Sequence, residues 1–170
     1  MGQKVCGYRC AAKVPKIERK AEKAKDRASK EAQKTRSKWL AEAQTAVNRY
    51  VRLRDIHAGY GCITCGARPV GVKFGGAFDC GHYLSRGSSP HLRFNLHNMA
   101  LQCARENRYL GGVAGKFRMA LVDRIGLTKV ERLEAQQGPA KFTIDYLRRL
   151  KAVFVKKANR LEKRHADLQD

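Results

Sequence analysis

Nowhere in this chain does an apolar run approach the roughly 20 residues that span a bilayer, and no apolar signal core follows the N-terminus. A membrane-spanning or secreted protein is therefore not expected, and a cytoplasmic one is. A basic helix can lie on anionic lipid, but the apolar face of the N-terminal one is mostly Ala and has little to bury. Aromatic residues are also scarce at 8%, and Ala supplies much of the 43% hydrophobic fraction. So little bulk implies a thin core, one that long helices or a bound metal must supplement. Acidic residues are the third shortage: 15 Asp and Glu face 36 Lys and Arg, for a formal charge of +21. Such a surface repels itself and attracts polyanions, whose binding releases counterions, so nucleic acid is the expected partner. In a reducing cytosol the six Cys read as metal ligands or free thiols rather than as a disulfide framework.

What is present falls into zones. Residues 1–36 read as a basic N-terminal arm carrying Cys6 and Cys10, with Pro15 suited to a first helical turn and Lys, Glu and Ala favouring helix after it. Its stripe of Ile17, Ala21, Ala24 and Ala28 is too small to hold a core tightly. Residues 37–58 read as a docking helix: Ser37 is a candidate cap, and Trp39, Ala43, Ala46 and Tyr50, with Leu40, Val47 and Val51, form a broad apolar face. Gly59 and Gly61 break it. Residues 59–115 are Gly-rich, with extended candidates at Val70–Phe74 and Phe78–Tyr83 and a helix expected to open near Asn98. Residues 116–170 read as helical: Phe117, Leu121 and Ile125 share a face that Gly126 stops, and Thr128 to Glu131 has capping-box spacing. A last helix places Ile144, Leu147, Leu150, Phe154, Ala158 and Leu161 on one face, with Arg148, Arg149, Lys156, Lys157 and Arg164 opposite, positioned for a duplex backbone or simply for water.

Cys62-Ile63-Thr64-Cys65-Gly66 is the strongest local motif. Two thiolates bracketing a tight turn grip one side of a tetrahedral zinc, and the flanking Gly argue against a redox motif opening a helix. Cys103 is the third expected ligand. Glu106 stands where a second pair needs its thiolate and is the preferred fourth, with Cys80 as the rival. Cys6 and Cys10 would make half of a further site without a second pair nearby.

The chemistry is expected between Phe78 and Gly112. Asp79 and His82 lie near the end of one strand candidate, and Asn98 and Asn107 bracket Cys103. Hydrolysing a phosphodiester needs a nucleophilic water and charge relief at the phosphoryl group and leaving oxygen, which a hard cation with few protein ligands supplies. Asp79 and Asn107 are suitable oxygen donors for Mg²⁺ or Mn²⁺, His82 is a candidate general base, and Asn98 is placed to tie the loop. Arg86 and Arg93 are candidate phosphate clamps. His91 and His97 read as loop or surface residues.

Five stretches, SKWLAEAQTAVNRYVRLRD, CITCG, DCGHY, PHLRFNLHNMALQC and FRMALVDRIG, resemble the lambdoid phage recombination endonuclease family NinG/Rap in order and spacing. That family is similar to the HNH and endonuclease VII class. The resemblance implies an α+β fold, a small zinc-stabilised ββα-metal (HNH-like) core flanked by long basic helices. It implies His82 as base, Asn98 as the residue orienting its loop and Asn107 as a catalytic metal ligand. The class often has Asp directly before the base; Gly81 stands there, and Asp79 is the expected substitute. The resemblance also marks departures: Glu106 for a fourth Cys, a missing upstream Cys pair, and Val113 where the family tends to have Asn. The implied substrates are Holliday junctions and D-loops, the implied partners phage and host recombination proteins in the bacterial cytoplasm. Cutting opposite strands would suit a homodimer. Two other readings stand beside this one: a catalytically silent, zinc-containing branched-DNA-binding protein, and a zinc ribbon that binds RNA or the ribosome.

Overall fold

The computed structural model describes residues 13–69, 77–111 and 113–166. Cys6, Cys10 and the strand candidate over 70–74 lie outside them. The chain divides into two compact units, the first ending at Lys38 and the second beginning at Trp39. In the first, helix α1 (Val14–Ala32) has Pro15 in its opening turn, as expected, and buries none of its residues. A polar helix whose stripe is mostly Ala has little to bury, and even Ile17 is exposed.

Helix α2 (Arg36–His57) follows. Thr35, not Ser37, provides the cap: its hydroxyl accepts the Lys38 backbone N–H at 3.3 Å, because the helix already begins at Arg36, ahead of Ser37. The rest of the second unit comprises strands β1 (Phe78–His82) and β2 (Met99–Cys103), then helices α3 (Ala114–Ile125), α4 (Leu127–Ala135) and α5 (Ile144–Ala166). Among the described residues, no helix is long and apolar enough to cross a membrane.

The two strands pair antiparallel, with Phe78 opposite Cys103 and His82 opposite Met99. This corrects the helix expected from Asn98: that residue ends a 3₁₀ turn, and the next five extend as β2. Helical backbone begins only at a π-helical turn, Arg105–Tyr109. Met99 to Leu101 are apolar and buried on both sides of the hairpin, which a strand between two layers requires.

Each face of the hairpin packs against its own helices. Cys80 and Met99 join Trp39, Ala43, Val47 and Val51 of α2 with Leu147 and Phe154 of α5. Ala100 joins Ile63, Leu92, Phe117 and Leu121 of α3, and Val130 and Leu133 of α4. The α2 and α5 faces read from periodicity are thus the ones turned to the core, except that Ile144 at the start of α5 is exposed, and Arg49–Glu162 and Lys151–Glu42 ion pairs flank them. Gly126, at φ +87°, is both the stop of α3 and the residue before α4, so Thr128 lies inside α4 and caps nothing. A one-residue corner needs positive φ and leaves no room for the expected capping box.

Candidate metal centre and active site

The Cys-x-x-Cys turn is built by local geometry. Gly59 and Gly66 both have φ of +74°, and a Cβ on Gly61 would lie 2.5 Å from the Gly66 carbonyl. The turn closes through the Cys62 N–H donating to Ala67 at 2.7 Å and the Gly66 N–H donating to Cys62 at 2.8 Å. The Ile63 N–H donates to the Leu101 carbonyl at 2.8 Å, so the turn docks on β2. Cys103, at the end of that strand, then completes a group with Cys62 and Cys65 whose ligand atoms lie within 4.8 Å of one another. Burial opposes ionisation of Cys62, yet the Thr64 hydroxyl and the backbone N–H groups around it win and bring its thiol down to about 7. Burial and the neighbouring sulfurs push Cys65 up to about 11. Three crowded thiols repel one another as thiolates, and a soft divalent cation relieves that repulsion.

The two rivals for a fourth ligand have different surroundings, and neither belongs to that close group. Cys80 is buried with Trp39 and Phe154, and burial pushes its thiol up to about 12. Glu106 is buried in the turn after Cys103, and its Oε2 has no hydrogen-bond partner. An unpaired buried carboxylate oxygen is costly, and a cation would satisfy it. The three-Cys group fits one side of a zinc site; of the two rivals only Glu106 offers an unpaired buried donor atom, whereas Cys80 is a core thiol.

On the hairpin, Asp79 and Asn107 meet: the Asn107 Nδ2 donates to Asp79 Oδ2 at 3.0 Å. Arg108, which the sequence did not single out, grips the same carboxylate through Nε at 2.7 Å and Nη2 at 2.6 Å. Its guanidinium is the main reason the Asp79 carboxyl sits below the usual range. Asp79 and Asn107 carry oxygen atoms of the type a hard divalent cation takes, and here the carboxylate is held by Arg108 and the Asn107 amide N–H.

His82 stands three residues further along β1, at the strand's other end, about 10 Å away by strand rise. Its Nε2 lies 3.2 Å from the Arg93 carbonyl. Among the described residues no hydrogen bond links it to Asp79 or Asn107. Burial pulls His82 down to about 4 against the carbonyl that favours the charged ring, and the Arg86 and Arg93 charges help. The imidazole is thus neutral at pH 7.

Asn98 is fully buried and ties the loop after His82, as expected. Its Oδ1 accepts the Leu84 N–H at 2.8 Å, and its Nδ2 donates to the Leu84 carbonyl at 2.9 Å and to the Leu92 carbonyl at 3.4 Å. Gly81 also has a physical reason. A Cβ there would lie 2.3 Å from the Gln102 Oε1, so an Asp directly before His82 cannot be accommodated without moving Gln102. The α5 cations Arg148, Arg149, Lys156 and Lys157 are all exposed, Arg148 lying over the Trp39 ring and Lys157 over Tyr50 and Phe154. Arg86 is exposed and Arg93 half-buried. His91 lies 2.9 Å from the Gln136 carbonyl, and His97 is exposed.

A second group that sequence reading missed fastens this frame. Asp55, 1% exposed, accepts from Arg54 at 2.7 Å, Arg124 at 3.0 Å and the Leu101 N–H at 2.7 Å. Its signal was an acid in step with Val47 and Val51 on an apolar helix face. Tyr83, next to His82, donates to Glu134, which also pairs with Arg118.

A family model described as the bacteriophage lambda NinG protein matches residues 1–164. The chain belongs to the NinG family. Protein ninG of Escherichia phage lambda is 34% identical over 126 residues, covering 74% of this chain and 58% of that protein. Protein ninG of Escherichia phage 933W is 33% identical and that of Salmonella phage P22 32% identical, each over 74% of this chain and 59% of the relative. The chain thus matches just under three fifths of the length of these curated NinG relatives. No solved structure matches it.

Proposed function

We propose that this NinG-family chain is a metal-dependent endonuclease that hydrolyses phosphodiesters in branched DNA, Holliday junctions or D-loops, during phage recombination. The observation that carries the reading is the contact between Asp79 and Asn107, set beside Cys103 on a hairpin whose far end bears a neutral His82. In this reading the fold is a zinc-stabilised ββα-metal core, with β1, β2 and the Arg105–Tyr109 turn as its ββα unit. Cys62, Cys65, Cys103 and Glu106 hold the structural zinc. Asp79 and Asn107 hold Mg²⁺ or Mn²⁺, which when bound supplies charge relief at the phosphoryl group and leaving oxygen. His82 accepts the proton of the attacking water, Asn98 holds its loop, and Arg86, Arg93, Arg148, Arg149, Lys156 and Lys157 bind the DNA backbone. Phage and host recombination proteins are the proposed partners, with a homodimer presenting two sites to opposite strands.

One observation favours the alternative of a silent branched-DNA-binding protein. His82 and the Asp79–Asn107 pair occupy opposite ends of β1, and Arg108 already holds both Asp79 oxygens. Cleavage of a four-way junction in Mg²⁺ or Mn²⁺ decides between them. The endonuclease reading expects the wild type to cut and His82→Ala to bind the junction with similar affinity without cutting. A wild type that binds but does not cut leaves the silent protein. Equal affinity at matched salt for duplex DNA, four-way junction and double-stranded RNA would remove selectivity for branched DNA.

A further inference from the structure

Arg108 has no task in the reading above, yet it dominates the surroundings of Asp79. It follows Asn107 in the Arg105–Tyr109 turn, and about half of its side chain is exposed (49%). The three hydrogen bonds to Asp79 from this turn come from consecutive residues, two from the Arg108 fork and one from Asn107. A guanidinium bound to both carboxylate oxygens, with the Asn107 N–H beside it, takes most of the lone-pair sites a hard cation would use. It also places a positive charge where a divalent ion would sit, and like charges at contact distance repel. The cation and Arg108 therefore compete for Asp79.

Displacing Arg108 costs little burial, because about half of the side chain already faces solvent and the pair it leaves is partly screened. Its backbone stays fixed beside Asn107, so the freed fork remains at the mouth of the cation site. A planar fork of N–H donors matches the oxygens of a phosphodiester in two-point fashion. Arg105, exposed in the same turn, adds positive charge on that side.

We propose that Arg108 is a catalytic phosphate-binding residue, held on Asp79 when no divalent cation is bound and released onto the substrate's scissile phosphate when one enters. The assignment rests on the endonuclease reading. It explains why the carboxylate of a hydrolytic site carries a second cation-like partner: the ion pair keeps Asp79 oriented and charge-balanced until the metal arrives.

The test uses the full-length, zinc-loaded protein and reads two quantities. Mn²⁺ binding, followed without DNA by the electron paramagnetic resonance of the free ion, is compared among wild type, Arg108→Ala, Arg108→Lys and Asp79→Ala. Arg108→Ala is expected to bind Mn²⁺ about three- to tenfold more tightly, since an exposed competitor has been removed. Asp79→Ala should lose the site. Junction cleavage at saturating Mn²⁺ is then expected to fall about a hundredfold in Arg108→Ala. Arg108→Lys, which keeps charge without the fork, should recover only part of it. Unchanged Mn²⁺ affinity in Arg108→Ala overturns the competition. Tighter Mn²⁺ binding with wild-type cleavage overturns the catalytic role while leaving the endonuclease reading intact. A wild type that binds Mn²⁺ through Asp79 and cuts nothing removes the endonuclease reading, and this role with it.

Discussion

Replacing Asp55 by Ala should cost this fold about 3–5 kcal/mol, the range for removing one partner from a buried ion pair. The magnitude follows from what would be left behind. The Leu101 N–H, buried in β2, loses its acceptor at 2.7 Å, and an unpaired buried donor alone costs about 1–3 kcal/mol. Arg124, at 3.0 Å from the carboxylate, would keep only its stack on Tyr60, centred 4.1 Å away. Arg54 would retain the Leu96 and Met99 carbonyls at 3.2 and 2.9 Å but no counter-charge. Asp55→Asn keeps an acceptor for Leu101 and loses the charge, so about half the cost is expected. Urea unfolding at pH 7 reads both values as a lower midpoint at constant slope. The loss is a large share of the total, because domains are stable by only about 5–15 kcal/mol. Because Leu101 lies two residues before Cys103, the Ala variant should also retain less zinc. A loss below about 1 kcal/mol for Asp55→Ala would refute the idea that this carboxylate fastens α2 and α3 to β2.

Three further outcomes are expected. Glu106→Ala should lower the zinc content of purified protein and Cys80→Ala should leave it unchanged, as read by elemental analysis; the reverse pattern would make the core thiol the ligand. The folded-state value of His82 is about 4 against an ordinary 6.5, so between those pH values the unfolded chain binds a proton that the folded chain does not. Its contribution is therefore complete above about pH 6.5 and is lost as pH falls towards 4, by up to about 3 kcal/mol. His82→Asn should flatten that slope in denaturation curves taken from pH 4 to 7. Finally, Val113 is a β-branched residue at φ +50° and ψ +59°, a conformation costing about 1–2 kcal/mol for such a side chain. Val113→Asn should raise the unfolding midpoint by about 1 kcal/mol equivalent, and no change would mean the left-handed turn carries no strain.

The departure at Val113 shows how sequence and structure divide the information. The resemblance marked Asn as the family's habit at that position, and only the backbone supplies a reason, since Asn tolerates the left-handed region and Val does not. Gly81 is similar. Its place before His82 was visible as an oddity, but the Gln102 side chain that fills the space lies on the neighbouring strand.

Features that depend on a few consecutive residues were readable directly: the α2 face from Trp39 to Val51, the α3 stop at Gly126, and the Cys62–Cys65 turn with its Gly neighbours. Helical period, a glycine's freedom and ligand spacing are local properties of the chain. The extension of Met99 to Cys103 as a strand, the Asp79–Arg108 pair and the anchoring of Asp55 were decided by tertiary structure. Each depends on partners distant in the sequence, and a short apolar run such as Met-Ala-Leu becomes strand or helix according to the neighbour that satisfies its backbone.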